Sequence, residues 1–153
     1  MRGRPKLPGL QAGIAGEYFV AAQLSRLGYV ASLTLRNTRG IDILASNANA
    51  TRSVGIQVKT SQGTRPDWML NQKAEADLAE NLFYVFVCLP VHGEPSYHVV
   101  PRREVAKAVR KDHRQWLITP GRGGHRHRDN PVRRFRDPEL KYKDRWDLLG
   151  LDS

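Results

Sequence analysis

The stretch "GIQVKT", Gly55-Ile56-Gln57-Val58-Lys59-Thr60, decides how this chain is read. It alternates with the two-residue period of a β-strand. Val54, Ile56 and Val58 project to one face, and Gly55, Gln57 and Lys59 to the other. The first face is apolar and suits a core. The second sets an amide and an ammonium two residues apart on a strand that otherwise looks central. Gln57 and Lys59 are therefore either a solvated strand face or half of a chemical site.

The surrounding pattern frames that strand. From Gln11 to Leu27 the spacing is helical, with Ile14, Tyr18, Val20, Ala21, Leu24 and Leu27 on one arc and Gly28 as the stop. Strands are predicted over 29–36 and 40–46, then over 52–60 after the polar turn 47–51. Residues 61–68 are expected to be a loop, followed by a short helical stretch near 73–79. The run "NLFYVFVCL" (81–89) predicts a strand buried on both faces, and 96–100 a fifth strand. Residues 102–117 predict a helix with Val105, Ala108 and Val109 inward. The Gly-, Pro-, Arg- and His-rich segment 119–140 is expected to be a long loop. Trp146, Leu148 and Leu149 then supply a short closing helix. The order is α-β-β-β-(α)-β-β-α, an α/β (α+β) mixed sheet flanked by helices.

With 153 residues, a single domain is expected. It divides into a basic arm (1–10), a core (11–118) and a basic C-terminal region (119–153). No apolar run approaches the roughly 20 residues a membrane span needs. The basic N-terminus lacks the apolar stretch of a signal peptide. The lone cysteine, Cys88, permits no internal disulfide and is read as a small buried hydrophobe. A cytoplasmic location follows as the expectation. The net charge is +10 and the pI about 10.3. Residues 1–100 carry a net of +3 and residues 101–153 a net of +7. That balance favours a polyanionic partner, above all nucleic acid.

Three polar features break the packing pattern. Glu17 falls near the middle of the helix's apolar arc, where a bare carboxylate is costly. It is paired, metal-bound or beside a cavity, unless the helix is rotated and Glu17 reaches water. Ile41 and Ile43 flank Asp42 in a predicted strand, so they point to one face and Asp42 to the other, and aspartate is depleted from strands. It is a functional violation or an ordinary exposed position. The third feature is the Gln57/Lys59 pair. A short hairpin connection makes the Asp42 strand an antiparallel neighbour, so Asp42, Gln57 and Lys59 can share a face. Glu17 joins them if the helix covers that end. Two carboxylates, an amide oxygen and a lysine suit Mg²⁺, a hard cation that takes oxygen ligands. Mn²⁺ is expected to substitute. Such a metal polarises a phosphodiester and activates water, and a neighbouring lysine meets the developing charge.

The pattern "GEYFVAAQLSRLGY…RGIDILA…GIQVKTS" resembles the PD-(D/E)XK nuclease superfamily, the restriction-endonuclease-like fold. The match is tight over about residues 11–61, and the strand order extends it to about residue 100. The resemblance assigns Glu17 to the helix acid, Asp42 to the motif aspartate and Lys59 to the motif lysine. Gln57 stands where the family carries its second acid. Implied are a metal-dependent endonuclease acting on DNA more than RNA, with Asp42, Gln57 and Glu17 holding the ion. A homodimer is implied too, since two strands need two active sites. The departure at Gln57 motivates the alternative, a nuclease-fold protein that binds nucleic acid or a protein partner without cutting.

For backbone phosphates, Arg122, Arg126, Arg128, Arg133, Arg134 and Arg136 form one candidate set and Arg39 another. The competing reading of 122–136 is a solvated basic segment. Trp68 and Trp116 are expected to pack in the core, Trp116 more clearly. The histidines at 92, 98, 113, 125 and 127 lack zinc-like spacing. "GRGG" (121–124) lacks the remainder of a phosphate-binding P-loop.

Overall fold

A computed structural model describes residues 4–35, 40–76 and 79–152. Helix α1 (Gly9–Arg26) leads into strands β1 (Val30–Leu33), β2 (Ile43–Ser46) and β3 (Ser53–Ser61). Strand β4 (Asp67–Asn71) and a single 3-10 turn (Gln72–Glu75) precede β5 (Leu82–Cys88) and β6 (Ser96–Pro101). Helix α2 (Arg102–Ile118), strand β7 (Val132–Arg136) and a 3-10 turn (Trp146–Leu149) follow. The main sheet has the order β1-β2-β3-β5-β6. All its pairs are antiparallel except β3 with β5, where Gln57 lies beside Tyr84 and Lys59 beside Phe86. The fold is the mixed α/β arrangement of restriction-endonuclease-like proteins. Among the described residues no helix is long and apolar enough to cross a membrane.

Strand β3 is central, and the main sheet separates two cores. Val54, Ile56 and Val58 pack with Val20 and Leu24 of α1, Val85, Val99 and the closing Trp146 and Leu149. The opposite core joins Tyr84, Phe86 and Val100 of the sheet to Val105 and Val109 of α2 and to Trp68, Leu70 and Phe135. Those last three come from a two-stranded β4–β7 ribbon. Trp68 anchors it, donating from its indole nitrogen to the Val87 carbonyl at 2.9 Å. The region after the ribbon is tied back by Asp137. Its carboxylate meets buried His98 at 2.7 Å and accepts the Lys141 and Tyr142 N–H groups.

The structure revises several expectations. Helix α1 starts two residues early, which shortens the arm. Its buried stripe is Ala12, Gly16, Val20 and Leu24; Tyr18 is 60% exposed and Leu27 43%. Small residues set this phase. A Cβ on Gly16 would lie 1.9 Å from Oγ1 of Thr60, so glycine is what lets α1 rest on β3. Glu17, one residue on, is half-buried at the edge of the stripe and not at its centre.

Ile41 and Ile43 do not share a face. Ile43 is buried under α1, whereas Ile41 lines a cavity on the far side. Two segments predicted as loop pair as β4 and β7. The predicted helix near 73–79 is a single turn ending at Glu75. Trp116 is half-exposed on the outer face of α2, not in the core.

Candidate active site

Ile41 and Ile43 part company because the β2–β3 ladder breaks at Asp42. The paired register begins at Ile43 with Ile56. Immediately before it, the Asp42 N–H donates to the Ile56 carbonyl at 2.8 Å. Oδ2 of Asp42 then accepts the Val58 N–H at 2.7 Å. A side-chain oxygen thus replaces the backbone acceptor that a regular strand would supply. The carboxylate is clamped against β3 at the residue between Gln57 and Lys59. Its second oxygen has no hydrogen-bond partner among the described residues. Thr34 holds this kink from the other side. Its N–H donates to the Asp42 carbonyl at 2.9 Å and its hydroxyl to the Ile41 carbonyl at 2.6 Å.

Two cavities open on either side of the kink. Asp42 and Glu17 line one of about 320 Å³, with Thr34 and the first turns of α1. Gln57 and Lys59 line the other, about 630 Å³, with Ile41, Tyr84, Lys73 and Arg102. Neither the Gln57 amide nor the Lys59 ammonium has a side-chain hydrogen bond or ion pair among the described residues, although both are half-buried. Half-buried polar groups left open in a cavity are binding groups in waiting. The four expected site residues therefore do not line one cavity: Asp42 and Glu17 line the smaller, Gln57 and Lys59 the larger. Among the described residues no cluster of three His, Cys, Asp or Glu side chains exists.

The basic candidates divide. Arg122, Arg126 and Arg128 are exposed on the segment after α2. Arg134 and Arg136 are exposed but restrained. Arg134 pairs with Asp67 at 2.7 Å, and Arg136 lies 3.8 Å from Asp112. Arg133 corrects the expectation of a phosphate contact. It occupies an inward position of β7, is only 6% exposed, pairs with Glu75, and donates to the Asn130 and Val132 carbonyls. Arg39 lies outside the described residues.

Trp116 stacks on His127 with centroids 4.1 Å apart and on His113 at 5.5 Å. His113 also meets Asp129 at 2.7 Å, so the basic segment is stapled to α2. Burial pushes the Cys88 thiol up from its ordinary value, against the pull of Ser96 and Lys143, which suits a packing residue and not a nucleophile. Two cavity residues escape a sequence reading. Tyr84 hides in an apolar run, and Arg102 opens a helix among many other arginines.

No family model matches the chain, and no curated protein matches it by sequence. The architecture itself defines a class, the restriction-endonuclease-like α/β fold. Within it, the chain is similar to the 1.6 Å structure of Hjc, a Holliday junction resolvase from the archaeal hyperthermophile Archaeoglobus fulgidus. The TM-score is 0.52 at 13% identity, over 90% of this chain and 95% of that one.

Proposed function

We propose that the chain is a metal-dependent endonuclease that hydrolyses phosphodiester bonds of DNA, with branched recombination intermediates as its substrate class. The observation that carries this reading is the Asp42 clamp. It fixes a carboxylate against the N–H of Val58, the residue between Gln57 and Lys59, and Glu17 lines the same cavity as Asp42. The fold shared with a junction resolvase supports the choice of branched DNA. A homodimer working in the cytoplasm completes the proposal, because resolving a junction needs two symmetric cuts.

The donor set fits Mg²⁺, which accepts one or two carboxylates, neutral oxygens and retained waters. Asp42, Gln57 and Glu17 would hold it, and Mn²⁺ would replace it. When bound there, the ion supplies a Lewis acid and an acidified water. The protein's own part is positional. The Val58 N–H orients the Asp42 carboxylate and leaves one oxygen free. Gln57 contributes an oxygen without charge, and Glu17 supplies negative charge in its stead. Lys59 offers three N–H donors to the charge that builds on the phosphoryl oxygens.

The test is incubation of four-way, supercoiled, linear and single-stranded DNA with Mg²⁺ or Mn²⁺. Cleavage favouring the branched substrate, lost in both Asp42→Ala and Lys59→Ala, is the expected result. Gln57 supports a second reading, a nuclease fold that binds without cutting. Salt-sensitive binding with no cleavage of any substrate by the wild type would select it.

A further inference from the structure

The cavity holding Gln57 and Lys59 contains a charge that no ion pair among the described residues explains. Arg102 is 8% exposed, and its Nε is buried without a hydrogen-bond partner. Arginine is almost never buried unless paired. Arg133, equally buried, obeys that rule through Glu75 and two carbonyls. Among the described residues Arg102 has instead only the Tyr84 ring, 5.4 Å from its guanidinium carbon, as a platform. Nη1 would lie 3.6 Å from a Cβ built on Gly40, so the guanidinium sits against the chain two residues before Asp42.

Three further observations set the sign of the missing partner. Lys59 and Lys73 line the same cavity, and among the described residues no Asp or Glu does. Arg102 is the first residue of α2, a 17-residue helix with no side-chain cap. The positive end of the helix dipole therefore lies at this wall.

We propose that Arg102, with Lys73, binds a backbone phosphate of the nucleic acid next to the one positioned by Asp42 and Lys59. This rests on the nucleic-acid reading of the adjacent site and extends it to a specific anchoring residue. The planar guanidinium is held over Tyr84, so its fork meets the phosphate already oriented. Among the described residues this cavity has no carboxylate, whereas the neighbouring one is lined by Asp42 and Glu17.

The test measures binding of a labelled four-way junction to the full chain in EDTA, across a salt series, so that cleavage plays no part. Arg102→Gln is expected to weaken binding about 10-fold. It should also reduce the slope of log affinity against log salt by about one. Arg102→Lys should restore the slope but not the affinity. Should Arg102→Gln fail to fold, Lys73→Gln and Arg102→Lys carry the test, since Lys73 is exposed. Junction affinities and slopes like the wild type in these variants would overturn the proposal. A parallel series records thermal stabilisation by inorganic phosphate. Stabilisation that depends on Arg102, with junction binding unchanged, would assign the site to free phosphate and overturn the backbone assignment. A wild type that binds junctions through Arg102 but never cuts them would refute the nuclease reading and leave this one standing.

Discussion

The two faces of β3 differ in what they ask of their neighbours. On the α1 side, Val54, Ile56 and Val58 are sealed into a continuous apolar core, and each gains from every atom packed against it. On the α2 side, Gln57 and Lys59 look into open volume and gain nothing from the protein in return. A one-residue step along the strand separates a sealed face from an open one, so substitutions on the two faces should fail in different ways.

The largest expected effect is on the open face. Lys59→Ala should lower single-turnover cleavage about 1000-fold, while the thermal midpoint stays at the wild-type value. A fall in both would break the division. On the sealed face, Ile56→Ala removes a side chain with no exposed surface. A loss of about 3–4 kcal/mol in urea unfolding is expected, with cleavage by the folded fraction near normal. Gly16→Val tests the close approach of α1. Its Cβ meets Thr60, so about 2 kcal/mol should be lost. Cleavage should fall as well, because Glu17 rides on the same turn. Thr60→Ala in the same chain should recover part of both losses, a coupling that a double-mutant cycle would measure.

The smallest effect concerns Tyr29, at the far end of α1, which donates to Asp152. Burial, then this hydrogen bond and the negative charge of Asp152, push its hydroxyl from 10.0 up to about 12. The protonated phenol is the form favoured by folding. Its contribution is therefore complete below pH 10.0 and fades as the pH rises toward 12. The urea midpoints of the wild type and Tyr29→Phe should differ slightly at neutral pH and converge above pH 10. A gap that widened instead would contradict the assigned contact.

The sequence carries the sealed face of β3 and its open Gln57/Lys59 face plainly, because strict alternation is a strong signal over nine residues. It carries the phase of α1 poorly. Ala12 and Gly16 contribute little hydrophobicity, so Tyr18 and Leu27 pull the apparent stripe away from the true one. Strands β4 and β7 are concealed for another reason. Arg133 occupies an inward position and reads as surface, and the partner of each strand lies far along the chain. The break at Asp42 is invisible to any periodic reading, since it depends on a side chain taking over a backbone role. Arg102 is masked by Arg103, an exposed neighbour that pairs with Glu80. Only burial tells the two apart.

The β4–β7 ribbon also bears on the order in which the molecule is completed. Asp67 pairs with Arg136, and Asn71 with Val132. Leu70, Asn71, Lys73 and Ala74, one wall of the cavity that holds Gln57 and Lys59, belong to or adjoin the earlier of these strands. During synthesis β3 and its α1 cover can form while β4 still lacks its mate, because distant pairings wait for the later segment to emerge. That wall is thus assembled last, after residue 136 has been made. A ribosome-bound fragment would carry Glu17, Asp42 and Lys59 but no finished cavity.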